Sequence, residues 1–245
     1  MMKKALQILI TVWFLVGSPA AWAQQGQYTI GLPCLEYQTC ASSEAEAFFT
    51  EVYGRIGIVP AFAYLPRLRD LEDANDGHTD ACAGRTKASY QPYENLIPVK
   101  TPVATETIVA FTLKEGLRID SWKDISSLRV GIVRGAQLPL QLCKQKGIER
   151  YVVGNTLQQV FHMLAESRVD AVVHHLQVGL NTARSIGIPV RMSNVLYRDM
   201  VYHVLNRRHA GLAPKLARIF GEMLEDGTSA RLLGKWAGML PEPLE

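Results

Sequence analysis

The sequence predicts an α/β protein built of two similar lobes, each a mostly parallel sheet flanked by helices. Two observations lead to this fold class. The order strand, helix, strand, helix, strand occurs twice along the chain, which predicts parallel sheets joined by right-handed crossovers. In each half, Asp-Ala opens a strand three residues after a helix ends, at Asp80 after Gly77 and at Asp170 after Ser167. The 245 residues, of which 48% are hydrophobic and 20% charged, are enough to bury a core in each lobe.

The first half of the chain carries three predicted strands and two predicted helices. Ser43 and Glu46 form the Ser-x-x-Glu pattern of a reciprocal helix cap, and the apolar positions that follow recur at helical spacing. The last strand of this half is short and apolar, as expected for a buried strand. In order, the predicted elements are a strand at Tyr28–Leu32, a helix from Ser43, a strand at Ile58–Ala63, a helix near Leu68 and Leu71, and a strand at Asp80–Ala83.

After an extended stretch at Ile97–Leu113, the same order of elements returns. Thr156 is predicted to cap one of the helices of this second half. Two final helices lie outside both series, and we expect them to pack on the first lobe. The elements are strands at Leu128–Val133, Tyr151–Val153 and Asp170–Val173, helices from Gly135 through Leu142 and from Thr156 through Leu164, and the final helices at Leu212–Leu224 and Thr228–Met239.

The first 23 residues are typical of a secretory signal peptide. Lys3 and Lys4 precede the apolar run Ala5–Val16, and the small-residue site at residues 21–23 predicts cleavage before Gln24. The apolar run has 12 residues, whereas a membrane-spanning helix needs about 20. The sequence therefore predicts an exported protein of the periplasm.

Charge and motifs exclude several classes of function. The chain holds 26 Lys and Arg against 23 Asp and Glu, and loss of Lys3 and Lys4 with the leader brings the net charge to +1. This balance gives no electrostatic reason to expect a nucleic-acid partner. The nucleophile-elbow, zinc-protease, phosphate-loop and dinucleotide motifs are missing from the sequence, so no cofactor is predicted.

Export changes how the four cysteines are interpreted, because an oxidising compartment permits disulfides. Cys34 and Cys40 lie close enough in sequence to close a small ring, and we predict that they are bonded, with two free thiols as the alternative. Cys82 and Cys143 are left unassigned.

Three segments resemble landmarks of the family 3 extracellular solute-binding proteins, which have the type II periplasmic binding protein fold. They are Ile125–Gly135, Leu164–Val173 and Leu224–Arg231, and the resemblance extends over nearly all of the chain after the leader. Asp80-x-x-x-x-Arg85 and Tyr93–Val99 resemble a less characterised branch of that family.

The resemblance implies a monomeric receptor that closes its lobes over a small polar, carboxylate-bearing molecule and presents it to an ABC transporter permease. Two alternatives stay open. One is a receptor that signals to a membrane sensor, and the other is a periplasmic enzyme of the cyclohexadienyl-dehydratase kind, which is built on the same fold.

The resemblance also implies how the chain is divided between the lobes. Residues 24–103 and 206–245 are expected to form lobe 1 and residues 112–198 lobe 2. The segments 104–111 and 197–205 are expected to cross between the lobes as a hinge.

Ligands of open α/β sheets bind beyond the carboxyl ends of the strands, and this rule selects the first candidate residues. Arg85 follows the third strand, where its guanidinium is placed to hold a carboxylate; pairing with a surface acid is the alternative. Gly135 and Ala136 begin a helix after a strand, where free N–H groups favour an anion; a tight turn without a ligand is the alternative.

His175 is a departure from the family pattern. In the amino-acid receptors that the chain resembles, an Asp at this position pairs with the ligand's α-ammonium, so His175 argues for a carboxylate without an ammonium; a satisfied surface or core histidine is the alternative. Tyr37 and Tyr64 are candidates for an aromatic wall of the cleft, with ordinary packing as the alternative. His174 and His175 are adjacent, and we expect their rings to face opposite ways, so no metal site is predicted.

Overall fold

A computed structural model describes residues 27–34 and 43–241, and these residues form a mixed α/β structure. The strands are β1 (Thr29–Cys34), β2 (Ala61–Pro66), β3 (Ala81–Thr86), β4 (Leu96–Thr112), β5 (Val130–Val133), β6 (Tyr151–Gly154), β7 (Ala171–His175), β8 (Arg191–Met192) and β9 (Tyr197–Asn206). The helices are α1 (Ser43–Gly54), α2 (Arg67–Asp76), α3 (Lys87–Tyr90), α4 (Trp122–Ile125), α5 (Gln137–Gln145), α6 (Leu157–Ala165), α7 (Leu176–Ser185), α8 (Ala213–Glu225) and α9 (Thr228–Leu233). Two 3-10 segments, Arg207–Leu212 and Gly234–Met239, follow β9 and α9.

The strands share one sheet in the order β2-β1-β3-β9-β4-β7-β5-β6, with β8 paired to β4. On one side β1 pairs in parallel with β2 and β3, and on the other side β5 pairs in parallel with β6 and β7. The two parallel groups predicted from the repeated order of elements are therefore confirmed. Between them, β4 and β9 run antiparallel to each other and to their outer neighbours.

Each parallel group is covered by helices on both faces, which gives the two lobes their separate cores. In the first lobe, α1 and α8 bury one face, where Phe48 and Phe220 stack at 5.9 Å between ring centroids. Helix α2 covers the other face through Leu71 and Ala74. In the second lobe, α4 and α5 cover one face and α6 and α7 the other.

The predicted hinge segments 104–111 and 197–205 lie within β4 and β9. These two strands pair with each other from Leu96 and Asn206 to Ile108 and Tyr197, and β4 then continues into the second lobe beside β7. The covalent crossings between the lobes are thus a pair of hydrogen-bonded strands.

Most predicted elements are present, with differences at their ends. Thr156 caps α6 as expected, because its hydroxyl accepts a hydrogen bond from the Gln159 N–H at 3.1 Å. The second strand starts at Ala61, later than the predicted Ile58. The last helix ends at Leu233 and continues as a 3-10 segment, where Gly234 has a φ of 51°.

The C-terminal helices pack on the first lobe as expected, and the 3-10 segment after them also reaches the second. Leu216, Ile219 and Met223 of α8 lie in the core of the first lobe. The main-chain carbonyl of Lys235 accepts a hydrogen bond from the Gln177 side chain of α7 at 2.7 Å. Helix α7 itself was not predicted from the sequence.

Candidate functional site

A cleft of about 350 Å³ lies between the two lobes, at the carboxyl ends of strands from both. This is where the topology of an open α/β sheet places ligands. Strands β1 and β3 end there in the first lobe and β7 ends there in the second, while the middle of β4 forms the floor. The lining residues are Leu32, Pro33, Ala45, Phe48, Phe49, Arg67, Ala83, Gly84, Thr86, Val103, Ala104, Thr105, Glu106, Thr107, His175, Leu176, Gln177, Val178, Val201, Leu233, Trp236, Gly238 and Met239.

Most of the cleft wall is apolar, and its ionisable side chains lie together at one corner. Among the described residues that line the cleft, these are Arg67, Glu106 and His175. Phe48, Phe49 and Trp236 are its aromatic rings. The cleft therefore suits a small molecule with an apolar body and one polar end.

Arg67 is the cation of this corner. It is the first residue of α2 and follows β2 directly, so it projects from the carboxyl end of a strand. Its guanidinium lies 4.0 Å from a carboxylate oxygen of Glu106, and 44% of the side chain is exposed. Within the described part of the chain the guanidinium makes no closer polar contact, so its N–H donors are available to a ligand anion.

Glu106 faces Arg67 from β4, and only 13% of its side chain is exposed. Burial raises the pKa of the Glu106 carboxyl, and the negative charge of Asp199 raises it further, while Arg67 opposes both effects. Ionisation of Glu106 is thus sensitive to any charge that enters the cleft.

His175 completes the corner from the end of β7. Its Nδ1 lies 3.6 Å from the same carboxylate of Glu106. Burial, His174 and Arg67 lower the pKa of His175 to about 3, so the ring is neutral at physiological pH and the contact is not an ion pair. His175 thus lines the cleft but supplies no charge to a ligand.

Arg85, the predicted carboxylate ligand, lies beneath the cleft wall. Its guanidinium pairs with the carboxylate of Asp70 in α2, and the two side chains are 1% and 0% exposed. A second N–H donates to the Gly84 carbonyl at 2.7 Å. Arg85 is not among the described residues that line the cleft, and its two terminal nitrogens are held by the Gly84 carbonyl and the Asp70 carboxylate. Its role in ligand binding stays a prediction.

The other predicted residues are dispersed around the structure. Tyr64 is half-buried on β2, and its hydroxyl bonds to the carboxylate of Glu46 in α1. Gly135 and Ala136 form the turn into α5, where Gly135 is exposed and has a φ of 80°. None of these three is among the described residues that line the cleft.

Several predictions fall outside the described residues: the signal peptide, Tyr37 and the pairing of Cys34 with Cys40. Cys82 and Cys143, which the sequence left unassigned, are buried free thiols.

The expectation that the His174 and His175 rings face opposite ways is wrong. Their ring centroids are 5.3 Å apart, because the strand ends at His175 and the chain turns there into α7. Even so, the described residues contain no group of three or more side chains placed to hold a metal ion. Within the same residues, no helix has the length and apolar character needed to cross a membrane.

Arg67 and Glu106 were missed in the sequence. The rule that selected Arg85 would have reached Arg67 only with the strand end of the structure, because β2 runs on to Pro66 whereas the predicted strand ends at Ala63. Glu106 had no comparable signal, because it lies in the middle of a long strand rather than at its end.

No protein-family model matches the chain. An uncharacterized protein from Shewanella oneidensis is 22% identical over 196 residues, which cover 76% of this chain and 73% of that protein. A probable amino-acid ABC transporter extracellular-binding protein from Bacillus subtilis, YtmK, superposes with a TM-score of 0.66 at 17% identity, over 86% of this chain and 98% of that one. A histidine kinase sensor domain with similarity to periplasmic binding proteins gives a TM-score of 0.64 at 14% identity, over 89% and 98%. At these identities the likeness shows the fold, which is the two-lobed type II periplasmic binding protein fold implied by the sequence resemblance.

Proposed function

We propose that this protein is a solute-binding receptor of the periplasm that closes its two lobes over a small molecule bearing a carboxylate. The observation that carries the proposal is the apolar cleft between the lobes, with the guanidinium of Arg67 at one corner. A cleft shared by two lobes couples ligand contact to a change in shape that a partner protein can recognise.

The lining of the cleft supports a particular chemistry for the ligand. Arg67 offers parallel N–H donors, which match the two oxygens of a carboxylate. The apolar walls, with Phe48, Phe49 and Trp236, favour an aliphatic or aromatic body. We therefore expect carboxylates such as 3-phenylpropionate and 4-methylpentanoate to represent the ligand class.

An α-ammonium group is not expected on the ligand. His175 is neutral, so it does not supply the negative charge that an ammonium needs in an apolar cleft. Glu106 is the one acid among the described lining residues, and it already faces Arg67. Comparing each acid with the amino acid of the same carbon skeleton tests this expectation directly.

We propose that the receptor delivers its ligand to an ABC transporter permease. The likeness to YtmK, described as an extracellular-binding protein of an amino-acid ABC transporter, supports it. The equally complete likeness to a histidine kinase sensor domain supports the alternative, a receptor that signals to a membrane sensor. Both roles begin with the same binding event in the cleft.

Fluorescence of Trp236 provides the test, because this residue lines the cleft. Protein purified from the periplasm is titrated to about 1 mM with two matched pairs: 3-phenylpropionate against L-phenylalanine, and 4-methylpentanoate against L-leucine. We expect a saturable change with at least one of the acids and none with its α-amino partner.

Two variants identify which tryptophan gives the fluorescence change. Trp122→Phe should keep the response, because the Trp122 indole is bonded to the Leu196 carbonyl of the second lobe at 2.9 Å, away from the cleft. Trp236→Phe should lose the response. Saturable binding of the amino acids but not the acids would refute the ligand class, and no response to any of the four compounds would refute the receptor proposal.

A further inference from the structure

Glu106 occupies an unusual position for an acid in a cleft that is to receive a carboxylate. One of its oxygens is 4.0 Å from the Arg67 guanidinium and 3.6 Å from His175 Nδ1. The carboxylate makes no hydrogen bond within the described part of the chain, and the surrounding wall is largely apolar. Glu106 therefore depends on Arg67 for the stability of its charge.

A ligand carboxylate that binds Arg67 must share the guanidinium with Glu106. Two carboxylates a few ångströms apart in a poorly solvated site do not both stay ionised without a large cost, and one of them takes up a proton instead. Such a ligand would accept direct bonds from the guanidinium, whereas Glu106 has only the longer contact of 4.0 Å. Glu106 would then be the group that takes up the proton.

The charged groups around Glu106 favour this outcome. Arg67, from α2, is the cation closest to it, and His175, from the end of β7, is neutral. Asp199, which lies opposite Glu106 on the neighbouring strand β9, adds a negative charge. Arg85, from β3, is a more distant cation whose charge is already balanced by its own buried carboxylate partner. Among these groups, Arg67 is the one unbalanced cation that faces Glu106, so it would have to serve both carboxylates.

We propose that the cleft binds its ligand as a lone carboxylate anion together with one proton, the anion pairing with Arg67 and the proton going to Glu106. This inference rests on the proposed function and extends it, because it makes ligand affinity depend on pH. Glu106 is here a specificity-determining residue: an ionised Glu106 disfavours the anion, and a protonated one accepts it.

The direction of the pH dependence follows from linkage. Binding raises the pKa of Glu106, so the affinity is greatest at low pH, where Glu106 is protonated before the ligand arrives, and falls as the pH rises. Over the range in which one proton is taken up, the Kd increases by about tenfold for each pH unit. The ligand carboxylate itself stays ionised above about pH 5.5, which sets the lower limit of the useful range.

Isothermal titration calorimetry with 3-phenylpropionate tests the proposal between about pH 5.5 and 8.5. Titrations in phosphate and in Tris, whose ionisation enthalpies differ, give the number of protons taken up per ligand bound. We expect a value that approaches one in the wild-type protein. Glu106→Gln should bind the same acid with no proton uptake and with a Kd that no longer changes with pH.

Asp199→Asn is the matched control, because it removes the neighbouring carboxylate and leaves Glu106 in place; this variant should still take up a proton. Binding of 3-phenylpropionate without proton uptake would overturn the inference and leave the receptor function intact. Proton uptake that persists in Glu106→Gln would also overturn it, by assigning the proton to another group. If neither 3-phenylpropionate nor 4-methylpentanoate binds, the proposed ligand class fails and the inference fails with it.

Discussion

Two guanidinium–carboxylate pairs, each with its arginine in the first lobe, differ in almost every physical respect. Arg85 and Asp70 are 1% and 0% exposed and in direct contact beneath the cleft wall. Arg67 and Glu106 are 44% and 13% exposed and separated by 4.0 Å at the cleft surface. Arg85 and Asp70 thus form a buried pair, whereas Arg67 and Glu106 form an open pair at the cleft surface. The comparison shows that the folding of α2 over β1 and β3, rather than residue type, decides which arginine is exposed at the cleft.

The buried pair leaves two of its polar atoms without hydrogen-bond partners among the described residues. They are Oδ1 of Asp70 and Nε of Arg85. Burial raises the pKa of Asp70, and the Arg85 charge opposes that effect. A pair in this environment contributes little net stability, because desolvation offsets most of the attraction, yet the loss of one partner leaves an uncompensated charge.

The largest effect is expected from Asp70→Ala, which leaves the Arg85 guanidinium buried and unpaired. We expect the free energy of unfolding to fall by about 3–5 kcal/mol, measured by urea denaturation. Arg69→Ala is the control: this side chain is 60% exposed and pairs with Asp73 on the same helix, so its loss should cost less than about 0.5 kcal/mol. Equal effects of the two substitutions would show that the Asp70–Arg85 pair has no structural role.

A smaller loss is expected from Gly31→Ala, which tests how tightly α2 is packed on β1. A Cβ at Gly31 would lie 1.6 Å from Oδ1 of Asp70, so the helix or the ion pair must shift. We expect a destabilisation of about 2 kcal/mol by thermal or urea unfolding. Gly221→Ala provides the contrast, because a Cβ there meets nothing within 4 Å and alanine is the better helix former. A Gly31→Ala protein as stable as the wild type would contradict the close packing.

The fold was predictable because its signals are local. Apolar strands such as Ala171–His175, the cap at Thr156 and the regular order of elements together indicate two parallel α/β groups, and the structure has them. Helix α7, which begins directly after β7, was not predicted; its N-cap residue makes no side-chain cap. The antiparallel pairing of β4 with β9 involves residues about a hundred positions apart, which no local pattern encodes.

The site was less predictable, because it depends on contacts between residues that are far apart in the sequence. The choice between Arg67 and Arg85 depends on which of them meets Asp70, and that contact forms only when α2 folds over β3. Glu106 reaches the cleft because β4 crosses between the lobes, and its partners come from α2, β7 and β9. The sequence located the edge of the sheet where the cleft lies and His175 in its lining; contacts between distant elements place the remaining lining residues.

The central claim is that the open pair, and not the buried one, recognises the ligand. It is tested most directly by the Kd of 3-phenylpropionate for Arg67→Ala beside Arg69→Ala, with calorimetry at pH 6 and melting temperatures recorded for both. We expect Arg67→Ala to weaken binding at least tenfold, equivalent to about 1.4 kcal/mol, with a melting temperature close to that of the wild type. Arg69→Ala should bind as the wild type does. An unchanged Kd for Arg67→Ala would contradict the account and return attention to Arg85.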